Sequence, residues 1–219
     1  MKVTTDACIQ GAWTSVMPHV RKVLDIGTGT GILALMLAQK SQYIFVDAVE
    51  YDHDAALQAA ANVEASPWQD RIKVIEADIR AFAYTASYEL IIVNPPFFID
   101  SLHNDEVRKT TARHDLMLSF AELIQVIKNC LAEDGYASVL LPVAEYAIWN
   151  SLARKQGLYE YRRLSVKHTG TAAVKRIVGL FTTKVDYGIV SEETLVIKND
   201  DGSYSAYFNE LLSSFYLHL

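Results

Sequence analysis

Length, composition and charge exclude several classes of protein. The chain has 219 residues, of which 51% are hydrophobic and 21% charged, so it can bury the core of one large α/β domain and is not disordered. It contains no run of 18 apolar residues, which excludes a transmembrane helix, and its first residues lack the apolar region of a signal peptide. The net charge of −6 argues against a nonspecific nucleic-acid binder, because affinity for phosphates requires clustered Lys and Arg.

Strand-like and helix-like segments alternate along the chain, with no repeat or linker between them. In chain order the pattern predicts strand Lys22–Ile26, helix Ile32–Lys40, strand Tyr43–Glu50, helix Asp54–Ala65, strands Ile72–Ala77 and Glu89–Val93, helix Ser119–Leu131, strand Tyr136–Leu141, helix Val143–Gln156, and strands Leu158–Val166 and Arg176–Thr183. Asp54 and Ser119 are the predicted N-caps, and Asp134-Gly135 is the predicted end of the helix that Ser119 begins.

This alternation predicts an α/β fold with a mostly parallel, seven-stranded sheet and helices on both faces. The last two strands are too close in sequence for a helical crossover, so the last strand is expected to be antiparallel. We expect a single domain over residues 1–219, with 191–219 forming a C-terminal hairpin and tail packed on it.

The two cysteines, Cys8 and Cys130, lie far apart and give neither a disulfide framework nor a metal-binding spacing. We therefore expect two buried thiols, no bound metal, and a monomeric protein of the reducing cytoplasm that has no association with membranes.

A glycine-rich loop follows the first predicted strand. Gly27, Gly29 and Gly31 in DIGTGTG separate that strand from a helix, at the sheet edge where nucleotides bind in doubly wound folds. A dinucleotide site would place its third glycine one position later, where Ile32 stands. The loop therefore favours a nucleotide-like ligand other than NAD.

Acidic residues end the next two predicted strands at matching positions. Glu50 closes YIFVDAVE, and Asp78 follows IKVIEA. A carboxylate at the end of the second strand can accept hydrogen bonds from a ribose diol, and one after the third strand can accept from an adenine amino group. Each acid alone is also typical of a solvated strand end. Combined with the glycine loop, the pair favours a ligand site.

In this order, the motifs resemble those of the Rossmann-like, class I methyltransferases that use S-adenosylmethionine. The resemblance covers residues 21–142 and implies that the glycine loop wraps the methionine part of the cofactor. It further implies that Asp25 lies near the cofactor's amino group, that Glu50 and Tyr51 hold the ribose, and that Asp78 and Ile79 meet the adenine.

The segment Asn94-Pro95-Pro96-Phe97 follows the fourth predicted strand and should open at the same edge. The Asn94 side-chain oxygen and the Pro95 carbonyl are two acceptors in a rigid frame, which suits a planar –NH2 group whose nitrogen must face a methyl donor. Phe97 can stack on the ring that carries the amine. Catalysis is expected from orientation, without a general base, and Asn94 is also expected to border the cofactor. Without this context, the segment reads as a strand end with core phenylalanines.

The larger pattern is similar to that of the bacterial tRNA1(Val) adenine-37 N6-methyltransferases. It consists of KVTTDACIQGAW, DIGTGTG, AVEYD, NPPFF, TTARHDLMLSF and the basic strand AVKRIVGLF, and it spans nearly the whole chain. This resemblance implies methyl transfer from S-adenosylmethionine to the exocyclic N6 amine of an adenine in tRNA. Two departures are Thr4, where the family carries glycine, and an N-terminal flap that is expected to be missing.

Substrate contacts are expected from two regions. Phe97 and Phe98 are the aromatic side chains expected to meet the base, which must leave its stack to reach the methyl donor. Basic residues of the 98–114 loop and of segment 162–176 are expected to hold the RNA backbone; those singled out are Arg113, Arg162, Arg163 and Lys167. His114 has no visible carboxylate partner that would indicate acid–base chemistry.

Two other functions are compatible with these motifs. The same chemistry could act on guanine N2 of ribosomal RNA or on a protein glutamine, although glutamine enzymes add a helical domain for which this chain has no room. The chain could also be a non-catalytic module that binds S-adenosylmethionine, but a binding module would not need Asn94.

Overall fold

The computed structural model describes residues 2–81, 87–95, 118–185 and 190–217. The strands are β1 Lys22–Ile26, β2 Phe45–Glu50, β3 Ile72–Glu76, β4 Tyr88–Val93, β5 Leu131–Pro142, β6 Tyr159–Lys167, β7 Val174–Thr182 and β8 Ser191–Val196. The helices are α1 Thr5–Trp13, α2 Ile32–Lys40, α3 His53–Glu64, α4 Phe120–Cys130, α5 Val143–Lys155 and α6 Ala206–Leu212, with a 3-10 turn at Gln69–Arg71. None of the helices in these ranges is long and apolar enough to cross a membrane.

These strands form one sheet in the order β3-β2-β1-β4-β5-β7-β6-β8. The pairs from β3 to β5 are parallel, whereas β7 runs antiparallel to both of its neighbours. The predicted α/β class, the parallel core and the antiparallel strand are therefore confirmed. The order reverses between β1 and β4, so the crevice at their carboxyl ends is the usual ligand position of such a sheet.

The described sheet differs from the expected seven strands by one. Ser191–Val196, assigned from sequence to the C-terminal hairpin and tail, adds β8 to the edge by pairing in parallel with β6. The hairpin follows it, with a bridge between Lys198 and Tyr204, and α6 then packs on the sheet. The pattern of Ser191–Val196 alone did not reveal this pairing, because its partner lies some distance back along the chain.

The boundaries of three predicted helices, α3, α4 and α5, also shift by one residue. α3 begins at His53 because the Asp52 side chain, and not Asp54, accepts a hydrogen bond from Ala55 N at 2.9 Å. α4 begins with the predicted Ser119 cap, but it ends at Cys130, and the chain enters β5 before Asp134-Gly135. Close packing of Gly135 against the Tyr88 carbonyl, where an added Cβ would lie 2.9 Å away, accompanies an irregular register between β4 and β5.

The core consists of two clusters, one on each face of the sheet. α1, α2 and α6 cover one face with side chains such as Ile9, Leu37 and Phe208, and α4 and α5 cover the other with Ile127 and Trp149. Both cysteines are buried, one in each cluster. Helices on both faces, as predicted, leave the carboxyl edge of the sheet to carry the polar loops.

The first helix is fixed to the second by a lysine. Lys40 Nζ, at the end of α2, donates to the carbonyl oxygens of Gly11, Ala12 and Thr14 at 3.1, 2.6 and 2.5 Å. These carbonyls end α1 and have no partner in the next helical turn, so an ammonium group satisfies them and opposes the partial negative charge of the helix end.

Replacement of Lys40 with methionine is expected to lower the free energy of unfolding by about 2 kcal/mol, since it leaves buried carbonyls without a donor. Urea denaturation followed by circular dichroism measures this change. Lys73→Met is the matched control, because Lys73 is exposed on β3, and its change should stay within about 0.5 kcal/mol. Equal midpoints of urea unfolding for the two variants would contradict the role of Lys40 in capping α1.

Candidate active site at the carboxyl edge of the sheet

The glycine loop turns sharply between β1 and α2. Gly27, Gly29 and Gly31 have φ angles of 68°, 57° and 79°, in the left-handed region that side chains other than glycine rarely adopt. An added Cβ on Gly27 would meet no atom within 4 Å, so this backbone faces open space. The sequence thus predicted a loop whose main chain a ligand can approach closely.

Glu50 fastens this loop to the end of β2. Its Oε2 accepts from Gly29 N at 2.8 Å, and its Oε1 accepts from the backbone N–H groups of Tyr51 and Asp52 at 2.9 and 3.0 Å. Glu50, the residue predicted to hold the ribose, therefore also organises the loop. A carboxylate oxygen has two acceptor positions, so Oε2 retains capacity for a hydroxyl group.

Asp25 is fully buried beneath the loop. Its Oδ2 accepts from Thr28 Oγ1 at 2.5 Å, whereas its Oδ1 has no hydrogen-bond partner among the described residues. Burial raises the pKa of this carboxyl to about 7, and the hydrogen bond from Thr28 partly opposes that rise. Asp25 is not among the residues that line the cleft described below, so its predicted contact with the amino group of the cofactor stays a prediction.

Asp78 is held by its neighbour Arg80. The Arg80 Nε donates to both carboxylate oxygens at 3.0 Å, and Nη2 donates to Oδ2 at 2.6 Å. The backbone N–H of Arg80 donates to Oδ1 at 2.9 Å. The side-chain hydrogen bond from Arg80 is the main reason that the pKa of Asp78 is lowered. The predicted adenine contact therefore requires Arg80 to give up part of this pairing.

A cleft joins the carboxyl ends of the four neighbouring strands β3, β2, β1 and β4. Predicted residues that line it are Gly27, Glu50, Tyr51, Asp78, Ile79 and Pro95. Its apolar walls come from Ile26, Val49, Val93, Leu118 and Leu123. Side chains from four separate strand ends thus meet in a mostly apolar slot with few polar groups, which is typical of a nucleoside site.

Asn94 and Pro95 follow β4 directly beside this cleft. Pro95 is buried, while Asn94 is half-buried and its side-chain amide forms no hydrogen bond with a described residue. The predictions for Pro96, Phe97, Phe98, Arg113 and His114 lie outside the described residues.

A buried glutamine that sequence reasoning missed supports the end of β4. Gln10 Nε2 donates to the carbonyl oxygens of Val93 and Ser138 at 3.0 and 3.2 Å, and the side chain is completely buried. It fixes the peptide that leads into Asn94. The signal was present in the sequence, because a lone amide interrupts the otherwise apolar face of CIQGAW.

The basic residues of β6 differ in their surroundings. Arg162 pairs with Glu193 at 2.7 Å and stacks on Trp13, and Arg163 pairs with the buried Glu160 at 2.5 Å. Lys167, at the end of β6, donates only to Gly170 O at 3.0 Å. Among the described residues, no cluster of His, Cys, Asp and Glu side chains could hold a metal ion.

Comparison with known proteins decides the family. The methyltransferase small domain model matches residues 12–138, from α1 into β5. The chain belongs to this methyltransferase family. Over 219 residues it is 38% identical to the tRNA1(Val) (adenine(37)-N6)-methyltransferase of Dyadobacter fermentans, covering 99% of this chain and 91% of that protein. Other relatives with the same name are 35–40% identical over the whole chain.

Solved structures of methyltransferases share the fold of this family member. A predicted O-methyltransferase from Agrobacterium tumefaciens, protein Atu636, superposes with a TM-score of 0.75 at 15% identity, over 96% of both chains. The glycopeptide N-methyltransferase MtfA, solved with S-adenosyl-L-methionine, gives a TM-score of 0.58 at 12% identity over 83% of this chain and 95% of that one. The chain is a methyltransferase, as the sequence predicted.

Proposed function

We propose that this methyltransferase transfers the methyl group of S-adenosylmethionine to the exocyclic N6 amine of adenine 37 in tRNA1(Val). The observation that carries this proposal is the position of Asn94 and Pro95. Pro95 lines an apolar cleft together with Gly27, Glu50 and Asp78, and Asn94 directly precedes Pro95, so two acceptors suited to a planar amine adjoin the cleft. The names of the relatives, which cover the whole chain, supply the substrate.

The residues at the edge fit the cofactor part by part. The open backbone at Gly27 leaves room for the methionine portion, and the unpartnered Asp25 Oδ1 suits its ammonium group. Glu50 can accept from the ribose hydroxyls while it holds Gly29 N. The apolar walls near Ile79 and Leu123 suit the adenine ring, with Asp78 at its polar edge.

When bound, the cofactor supplies an electrophilic methyl group, and the protein's part is orientation. The Asn94 side-chain oxygen and the Pro95 carbonyl accept the two amine hydrogens, which aims the nitrogen lone pair at the methyl carbon. Methyl transfer to the aimed nitrogen would leave it with an extra proton, which would pass to solvent. Phe97 and Phe98 hold the adenine ring, and Arg113 contacts the RNA backbone.

Methyl transfer from labelled S-adenosylmethionine to tRNA1(Val) transcripts tests this proposal. Nucleoside analysis should find the label as N6-methyladenosine, and a transcript with guanine at position 37 should remain unlabelled. Label in methylguanosine, or in protein when a cell extract is added, would overturn the choice of substrate.

Cofactor affinity should depend on pH through Asp25. Because burial raises the pKa of Asp25 to about 7, much of this group is protonated in the free protein at pH 6, whereas a bound ammonium group favours the carboxylate. Affinity for S-adenosylmethionine, measured by calorimetry, should therefore rise about tenfold from pH 5.5 to 7.5. Asp25→Asn should bind more weakly at pH 7.5 and show no such rise; an equal slope in both proteins would exclude Asp25 as its source.

A further inference from the structure

A second cleft opens between the β6–β7 hairpin and the start of α1. Its basic side chains are Lys167, His168, Lys175 and Arg176, its floor includes Val166, and one acid, Asp6, lies on its rim. We call this set the hairpin cleft. It holds three permanent cations against one carboxylate, in a chain whose net charge is −6. The local charge is therefore opposite to that of the whole protein, which indicates an anionic ligand.

The hairpin cleft lies at the same edge of the sheet as Asn94. β6 runs parallel to β4, so Lys167 ends its strand at the carboxyl edge, and Arg176 pairs with Pro142, the last residue of β5. In the sheet order, β7 and β6 are two and three strands away from β4. At the usual strand spacing this is roughly 10–15 Å. A polymer with its target base at Asn94 can therefore reach the hairpin cleft with neighbouring residues.

The side chains of the hairpin cleft are arranged differently from Arg162 and Arg163. Lys175 is exposed and has no ion-pair partner among the described residues, and Lys167 contacts only a carbonyl oxygen. Arg176 Nε pairs with Asp6 at 3.0 Å, with both side chains about 30% exposed. Arg162 and Arg163 instead pair with Glu193 and Glu160 within β6 and its surroundings. In segment 162–176, Arg162 and Arg163 therefore form ion pairs within the fold. Lys167, Lys175 and Arg176 instead form an electropositive surface.

We propose that the hairpin cleft binds the phosphodiester backbone of the RNA that flanks the target adenine. This inference rests on the proposed function and names the surface that holds its substrate. Ammonium and guanidinium groups bind phosphate oxygens through charge-assisted hydrogen bonds, and the release of counterions makes such contacts dependent on salt. Asp6 competes with the RNA for Arg176 and so limits the affinity of the hairpin cleft for RNA.

Loss of the adjacent cations in Lys175→Ala/Arg176→Ala should weaken binding of tRNA1(Val) transcript at least tenfold in 50 mM salt, and should reduce the slope of log affinity against log salt by about 1 to 2. Affinity for S-adenosylmethionine should stay within twofold. Arg154→Ala/Lys155→Ala is the matched control, because this exposed pair ends α5 at the opposite edge of the sheet. Equal loss in both double variants, or none in the first, would overturn the proposal.

Asp6→Asn is expected to strengthen RNA binding, a result that a misfolded variant could not give. Removal of the competing carboxylate should tighten RNA binding two- to fivefold at low salt, whereas unchanged or weaker binding would count against the hairpin cleft. If wild-type protein methylates adenine 37 while these variants bind RNA normally, only the hairpin cleft is refuted. If the wild type leaves adenine unlabelled, the proposed function itself fails.

Discussion

Replacement of Asn94 with alanine is expected to slow methyl transfer to tRNA by a hundred- to a thousandfold, while affinity for S-adenosylmethionine changes less than threefold. The amide follows β4, beside the cleft, and makes no hydrogen bond with a described residue, so its acceptor is available to a substrate amine. The effect should therefore appear in the chemical step. Loss of one preorganised polar contact to a reacting group has effects of this size in other enzymes.

Two further variants separate orientation from folding. Asn94→Asp keeps an oxygen acceptor and should retain more activity than Asn94→Ala in single-turnover assays. Asn129→Ala removes an exposed amide on α4 that bonds only Gln125, and it should leave the rate unchanged. The orientation mechanism fails if Asn94→Ala retains more than a tenth of the wild-type rate, or if the Ala and Asp variants are equally slow.

Replacement of Glu50 should weaken cofactor binding about a hundredfold. The carboxylate accepts from three backbone N–H groups and is also the proposed partner of the ribose diol. Alanine removes both contributions, and charge-assisted hydrogen bonds of this kind contribute about 1.5–3 kcal/mol each. Glutamine should be nearly as damaging, because either orientation of its amide turns an NH2 group toward a backbone N–H donor.

Glu76→Gln is the matched control for this experiment. Glu76 pairs in register with Glu50 on the neighbouring strand, but it is exposed and bonds His53 at 2.8 Å. Calorimetric titration with S-adenosylmethionine should give wild-type affinity for this variant. Wild-type affinity in Glu50→Ala would remove Glu50 from the cofactor site.

The sequence predicted the parts of this site that depend on local pattern. Gly27 follows β1 and Glu50 ends β2, two strands that an α/β pattern places side by side, and parallel strands bring their carboxyl ends to one edge. The pairing of Arg162 with Glu193 and the burial of Gln10 beneath Val93 depend on contacts across the fold, which periodicity does not encode. The Asp78–Arg80 pair is different, since only Ile79 separates the two residues and the sequence already contained that signal.

The short helix α1 reaches both halves of the proposed reaction. Asp6 bonds Arg176 of the hairpin cleft, and Gln10, one helical turn later, bonds the Val93 carbonyl that precedes Asn94. The proposed RNA-binding cleft and the peptide proposed to orient the adenine amine therefore both contact the same helix. A displacement of α1 would move the hairpin cleft and Asn94 together. RNA binding that shifts α1 would therefore also change the geometry of methyl transfer.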